Sequence, residues 1–443
     1  MRLTSFAAGI AAISTLCGAG FVSAAPNSND SKNAKTPQVW LASAAPQNSL
    51  RPSVRPAQIK VSKTAEDDDI SNLGFRDWLA EYRPRAMAAG ISAATLDLSL
   101  SGIHYNTNVI QRDRNQSEFS KTIWEYLDSA ASDVRISNGR AALAKHDAVL
   151  SRIEAHYGVE KEVVTAVWGL ESAYGTFRGS TPIIEALATL AFDGRRGAFF
   201  ETQLTAALQI IQSGDVRPEG MTGSWAGAMG HTQFIPTSYL SLAVDFDGDG
   251  KRDIWSDDPT DALASTAAYL ESNGWTKGQP WGVEVQLPDG FDYALAKRDI
   301  LKTPSLWAQM GVVDMSGKAV PNHGQASVLL PAGAQGVALM IFDNFRVIET
   351  YNTADAYVIG VGLLSDRIGG AGPLQGDWPR EDRALTYAER IELQERLTTA
   401  GFDTQKIDGK IGPLTIEAVR QYQRSIGAAP DGYASLQILK KLR

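Results

Sequence analysis

Four stretches of this chain, 137–157, 160–171, 198–213 and 260–272, carry apolar residues at three- and four-residue spacing, and they are broken at Gly158, Gly175, Gly214 and Gly274. That period is the period of the α-helix, and a glycine past the last apolar position supplies a stop. A chain patterned this way must bury helix against helix. Short β-type runs come only later, at 283–287, 326–330 and 338–342, followed by a last helical stretch near 353–364. The expected architecture is therefore α+β and mainly α, with a small strand-bearing subdomain inserted before the final helix of a large helical region.

The 443 residues leave room for two or three domains with cores of their own. A net charge of −8 argues against a general nucleic-acid binder, which needs a basic face to displace counterions. One cysteine excludes a disulfide framework or a cysteine metal cluster, and the five histidines (104, 146, 156, 231, 323) show no ligand spacing. Arg2 is the only charge before Asp30, and the Ala-rich stretch 3–22 leads into Val22-Ser23-Ala24, a small-residue cleavage pattern. Residues 1–24 are expected to be a signal peptide that directs the chain to the periplasm. A retained membrane anchor is the alternative, disfavoured by Gly9, Gly18 and Gly20; lipid attachment at Cys17 is disfavoured by Leu16 before it. Residues 25–71 are rich in Pro, Asn, Ser, Ala and Gln and close on the acidic run 66–69, a composition that predicts a disordered tether. A compact region follows over 72–368, then a Gly- and Pro-rich linker at 369–384 and a small module over 385–443.

The most informative helix is 161–171. Val164, Val167, Trp168 and Glu171 stand at i, i+3, i+4 and i+7, which places a carboxylate on the apolar stripe just before Tyr174-Gly175 ends the helix. Desolvation there favours the protonated form, the condition a general acid needs near neutral pH. The plainer alternative is a glutamate that escapes to solvent at a frayed end or pairs with an arginine. Downstream lie 184–192, Arg195-Arg196 and the run 223–239, whose glycines and alanines suggest a surface for close approach of a flat ligand, closed by the Gln233 amide. A sugar chain presents such faces, hydroxyls and amides.

These blocks together resemble the soluble lytic transglycosylases of the membrane-bound lytic transglycosylase B type, bacterial cell-wall enzymes with a lysozyme-like fold. The resemblance covers roughly residues 72–364. It implies that Glu171 is the single catalytic acid, first protonating the glycosidic oxygen between N-acetylmuramic acid and N-acetylglucosamine and then acting as base toward the muramyl 6-hydroxyl. It implies that Ser224, Gln233, Tyr351, Asn352 and Tyr357 line the sugar groove, with Arg195 and Arg196 beside it and Tyr126 matched on spacing alone. Tyr126 and Tyr357 as plain core aromatics, and either arginine as a solvated helix-end charge, stay open. No second acid is marked by its pattern, as a two-carboxylate hydrolase would need. No cofactor for catalysis is implied.

Between groove motif and next helix, Asp245, Asp247, Asp249 and Asp253 occupy loop positions 1, 3, 5 and 9, with Gly250 at position 6, the pattern of a calcium loop. Position 12 is Ser256. The resemblance implies a structural Ca²⁺ held by Asp245, Asp247, Asp249, the Lys251 carbonyl and a closing Asp261, reached after an insertion; an Asp-Gly turn without metal is the alternative. In the terminal module, Leu393, Leu397 and Ala400 form one helical stripe and Ala418, Val419, Tyr422 and Ile426 another. Leu393-Gln394, the turn 408–415 and the segment 418–423 resemble a three-helix peptidoglycan-binding domain; a spacer or dimerisation bundle is the alternative. The sequence thus predicts a monomeric enzyme acting on peptidoglycan strands, with a hydrolysing muramidase and a non-catalytic wall-binding scaffold as rivals.

Overall fold

The computed structural model describes residues 65–114 and 121–443; the expected signal peptide, Cys17 and the tether up to residue 64 lie outside them. The chain enters through α1 (Ala65–Ala88), so the acidic run 66–69, expected at the tether's end, belongs to the first turns of a helix. Short helices α2 (Ala93–Leu100), α3 (Thr107–Arg114) and α4 (Ile123–Ala130) follow. The stretch 137–157 divides into α5 (Asp133–Lys145) and α6 (Asp147–Tyr157) at His146, a break that periodicity does not reveal because the apolar spacing continues across it. Then come α7 (Lys161–Ser172), α8 (Ile183–Asp193), α9 (Gly197–Ser213), α10 (Pro236–Leu242) and α11 (Thr260–Ser272). Two-residue strands β1 (Thr181–Pro182) and β2 (Thr222–Gly223) pair antiparallel across the α8–α9 hairpin.

The inserted subdomain holds β3 (Gly282–Gln286), α12 (Pro304–Gln309), β4 (Val313–Asp314), β5 (Ser327–Leu329) and β6 (Ala338–Ile341), in an antiparallel sheet of order β4-β3-β6-β5. The chain returns through α13 (Asp343–Tyr351) and α14 (Asp355–Ile368). Arg298 of the insertion pairs with Glu349 on α13 and Asp355 on α14, its guanidinium 5.2 Å above the Phe345 ring.

Two hydrophobic cores organise the large region. One surrounds α7 and α14, with Val164, Val167, Trp168, Val358, Val361 and Leu364 buried; the other surrounds α8 and α9 with Phe75 and Tyr82 of α1. Tyr269 and Tyr351 pack against both cores, so the seam between them runs past the end of α7.

The terminal module consists of α15 (Tyr387–Thr399), α16 (Pro413–Ser425) and α17 (Leu436–Leu442), packed on Leu393, Leu397, Val419 and Leu439. Ala400 and Ile426, expected to extend two stripes, face solvent because each is the cap just past the last residue of its helix. Its motif residues are structural. Gln394, buried between α15 and α16, accepts the N–H groups of Asp408 (3.0 Å) and Gly409 (2.8 Å) and donates to Thr415 Oγ1 (3.1 Å). Gln423 treats the second Asp-Gly turn similarly, accepting Gly432 N–H (2.8 Å) and donating to Asp431 Oδ1 (2.6 Å).

The segment 369–384 is tied down. Glu284 accepts the N–H groups of Gln375 and Gly376, Trp378 packs against Trp124 and Arg380 pairs with Asp128. Asp431 Oδ2 accepts the Ala334 N–H (2.8 Å) and so docks the terminal module on the insertion. Asp431→Asn keeps Oδ1 for the module's own turn but turns an amide donor toward the Ala334 N–H, a mismatch costing about 1–3 kcal/mol. Trypsin should then cut in 369–384 several-fold faster than in the parent protein, with the melting of the module unchanged.

Candidate active site

Glu171 stands on the last turn of α7. The helix ends because Ala173, Tyr174 and Gly175 all take positive φ, of 49°, 59° and 82°. A non-glycine residue in the left-handed region is strained, by about 1–3 kcal/mol, and such strain persists only where surroundings fix it. Tyr174 is fixed by its hydroxyl, which donates to the Arg135 carbonyl (2.7 Å). The abrupt turn keeps Glu171 at the helix end, partly open to solvent but without fraying away from the core.

Tyr357, fully inside on the first turn of α14, donates its O–H to Glu171 Oε1 at 2.6 Å. Tyr351 lies parallel to Tyr357, with centroids 6.4 Å apart and planes 9° off, and donates to the Thr232 carbonyl (2.6 Å). Asn352 is buried beside it and accepts the Ala354 N–H (3.1 Å), which starts α14. Tyr126 of α4 lies so near Gly360 that a Cβ there would come within 3.0 Å of its ring, and its field reaches Tyr357. Burial pushes the Glu171 carboxyl up to about 7, and the Tyr357 hydrogen bond offsets part of that rise. Burial and the Glu171 charge hold both Tyr351 and Tyr357 well above the ordinary phenol range, so they act as O–H donors. Among the described residues, no second carboxylate contributes to the Glu171 shift.

The run 223–239 differs from expectation. Its glycines are not an open face: a Cβ on Gly223 would lie 2.1 Å from the Ala228 carbonyl, and one on Gly230 would lie 2.3 Å from that of Ile254. They permit close approach of the protein to itself. Ser224 accepts the Ala228 N–H (3.0 Å), and Gln233 spends its amide N–H bonds on the Arg178 (3.0 Å) and Gly230 (2.9 Å) carbonyls. What Gln233 offers a ligand is its carbonyl oxygen alone, where a donor and an acceptor were expected.

Arg195 and Arg196 both face Asp113, which is 2% exposed; Arg195 forks across both its oxygens, while Arg196 stands 3.6 Å away with its guanidinium 4.8 Å over Phe200. No described contact joins this pair to Glu171 or Tyr357. In the acidic loop, carboxylate oxygens of Asp245, Asp247 and Asp249 lie within 4.8 Å of one another. Lys251 donates its N–H to Asp249 Oδ1 (2.8 Å). Asp261, expected to close a metal site, accepts the N–H groups of Phe246 (2.8 Å) and Asp247 (3.4 Å) on Oδ1 and that of Asp253 (3.0 Å) on Oδ2, and so braces the loop.

Three contributors escape sequence reasoning. Asp113 is a lone acid whose only signal is that a pair of arginines needs a counter-charge somewhere. Arg178 ties Gln233 to the loop at 255–257, and His231 lies between them. The Trp168–His231 hydrogen bond spans 63 residues, so it leaves no local pattern.

The family described as "Transglycosylase SLT domain" matches residues 74–366, and "Putative peptidoglycan binding domain" matches 386–442. The chain belongs to the SLT transglycosylase family. It is similar to membrane-bound lytic murein transglycosylase B of Escherichia coli (strain K12), 34% identical over 241 residues, which are 53% of this chain and 63% of that relative's length. SltB3 from Pseudomonas aeruginosa, solved in complex with NAG-anhNAM-pentapeptide, superposes with a TM-score of 0.81 at 48% identity, covering 83% of this chain and 99% of that one. Slt35 of Escherichia coli, solved in complex with calcium, gives a TM-score of 0.57 at 29% identity, over 68% of this chain and 94% of that one. The mainly helical, lysozyme-like SLT fold and the helical C-terminal module are thus both present.

In this SLT domain the raised Glu171 carboxyl has a sign that can be checked. Its folded pKa lies above the unfolded value, so its contribution to stability is complete below about pH 4.5 and is lost as pH rises through about 7. Glu171→Gln cannot ionise. The variant should melt with the parent protein at pH 4.5 and above it at pH 8, by up to roughly 3 kcal/mol in stability. Tyr357→Phe removes the group that lowers this pKa and should move the alkaline limb of any Glu171-dependent activity upward.

Proposed function

We propose that this protein is a lytic transglycosylase, which cleaves the β-1,4 bond between N-acetylmuramic acid and N-acetylglucosamine in peptidoglycan and leaves 1,6-anhydromuramyl ends. The observation that carries this reading is a single partly open carboxyl, Glu171, raised to about 7 and held by Tyr357 with no second acid acting on it. Because Oε1 accepts the Tyr357 proton, the acid form keeps its own proton on Oε2, the oxygen no described group bonds. From Oε2 the proton passes to the glycosidic oxygen as the bond to C1 breaks. The carboxylate then takes the proton of the muramyl 6-hydroxyl while that oxygen bonds to C1, which restores the acid form. A hydrolase would need another group to activate water. The capture of NAG-anhNAM-pentapeptide by SltB3 supports the anhydro product.

Ser224, the Gln233 carbonyl, Tyr351, Asn352 and Tyr357 are assigned to the groove, with Tyr126 behind them. Arg195 and Arg196 are assigned to its margin, where Asp113 sets their direction. The chain is assigned to the periplasm as a monomer, its tail module on the wall polymer; no described helix is long and apolar enough to cross a membrane. The acidic loop is assigned a structural Ca²⁺. Its three convergent, exposed carboxylates are hard oxygen donors of the kind that ion takes, and Slt35 is known with calcium. Asp245, Asp247 and Asp249 would hold it together with the Lys251 carbonyl, while Asp261 braces the loop. The ion would stiffen the loop and take no part in proton transfer.

Mass spectrometry of fragments from digested peptidoglycan tests the chemistry. Anhydromuramyl ends are expected from the parent protein, and Glu171→Gln should lose at least 10³-fold in rate, the scale of a lost proton-transfer group. Reducing muramyl ends would instead mean hydrolysis, and a parent protein without turnover would leave only a wall-binding scaffold. For the loop, calcium at about a hundred times its Kd should add about 2.7 kcal/mol of stability. EDTA should reverse the gain, and Asp247→Asn should abolish it.

A further inference from the structure

His231 is 3% exposed and has every polar group engaged. Its backbone N–H donates to the Ile254 carbonyl (3.0 Å), and its carbonyl accepts the Ser172 hydroxyl, one residue after Glu171. Its Nδ1 accepts the indole N–H of Trp168 at 3.1 Å, and its Nε2 lies 2.7 Å from the Ser256 carbonyl. These partners fix the tautomer. An indole can only donate and a carbonyl can only accept, so the ring proton is on Nε2 and Nδ1 is bare. Arg178 Nη1, 3.1 Å from Nε2, finds its acceptors in the Trp255 (3.0 Å) and Ser256 carbonyls. The fit is close: a Cβ on Gly175, three residues after the residues of the α7 terminus, would lie 2.6 Å from Nδ1 and Cε1.

The two ring bonds are not equivalent. The Ser256 carbonyl has a second donor in Arg178, whereas the Trp168 indole has no other described acceptor. Trp168 and Glu171 are three residues apart on α7, hence on one side of the helix. On its other side His231 continues into Thr232, whose carbonyl receives Tyr351, and Tyr351 stacks on Tyr357, the partner of Glu171. Glu171 is thereby held from the α7 side and from the α13–α14 side by consecutive residues of one loop.

We infer that His231 is a positioning residue for Glu171, acting through the bond from the Trp168 indole to its bare Nδ1. The inference rests on Glu171 being the catalytic acid. His231 is buried and its ring bonds none of the residues assigned to the groove, so its loss is expected to affect placement of the acid and not binding of the sugar.

Two amide replacements separate the two ring nitrogens. Asparagine can place an acceptor where Nδ1 stands, and glutamine can place a donor where Nε2 stands. In the full chain acting on peptidoglycan, His231→Asn should keep kcat within about threefold, while His231→Gln should lower kcat about tenfold or more with KM unchanged, as expected for an acid displaced by a fraction of an ångström. Equal kcat in His231→Gln and the parent, or a loss confined to KM, overturns the assignment. Nitrogen NMR of ¹⁵N-histidine-labelled parent protein gives a readout independent of turnover and of whether either variant folds. A bare Nδ1 and a protonated Nε2 are expected, and the opposite tautomer overturns the inference. Glu171→Gln, measured alongside, keeps the two claims apart: full activity there sinks the catalytic reading while the tautomer still reports on His231. An inactive Glu171→Gln with an unaffected His231→Gln sinks the positioning role alone.

Discussion

The structure is organised around one requirement, that a carboxyl be kept away from bulk water and yet reachable from a groove. A carboxyl surrounded by protein atoms favours its neutral form, and that preference grows as water is excluded. Exclusion alone would leave Glu171 mobile, and a mobile acid is a poor one. The Tyr357 hydroxyl supplies the direction by occupying Oε1, at the cost of lowering the pKa somewhat. Burial and the phenol thus act in opposite senses on the proton affinity while acting together on the geometry. The balance near 7 suits the acid and base roles proposed for Glu171.

Holding Tyr357 in place is a long-range problem, because α14 lies almost two hundred residues beyond α7. The insertion between them is part of the solution. Its Arg298 joins α13 to α14, the two helices that carry Tyr351 and Tyr357, by pairing with an acid on each. The site also falls where two cores meet, and Tyr269 and Tyr351 touch both. A seam between cores is where polar groups can be brought together without being buried in either, since each core seals one side only.

The features that could be read in the sequence are those with local periods. The stripe Val164, Val167, Trp168, Glu171 is visible because 3.6 residues per turn puts its members on one side. The helices at 198–213 and 260–272 appear for the same reason, and the strands near 283 and 338 appear as short apolar runs. The division of 137–157 at His146 left no trace, because apolar spacing runs through it. The glycines of 223–239 were legible as close-approach residues, but what approaches them is the protein's own backbone, and a pattern does not identify the partner. Asp261 was legible as an acid in the right region. That it accepts three backbone N–H groups depends on how an exposed loop folds over a helix start. The Arg195–Asp113 pair and the Trp168–His231 bond join residues 82 and 63 apart, and nothing in a one-dimensional pattern marks such bonds.

Charge is used sparingly in the recognition this architecture allows. The chain is net acidic, and its one arginine pair near the α8–α9 turn is directed at the buried Asp113. Asp113 offsets one of the two guanidinium charges, and salt screens the remaining one beyond a Debye length, so the pair adds little long-range attraction. On the reading proposed above, affinity for a glycan comes from short-range contacts: hydroxyls and amide carbonyls fixed by their own internal bonds, and the flat face of Tyr351. Ser224 and Gln233 illustrate the consequence. Each has part of its hydrogen-bonding capacity committed to the protein, so the remainder points in one direction. Groups committed in this way are preorganised, and a sugar bound by them, as proposed, would cost little ordering entropy.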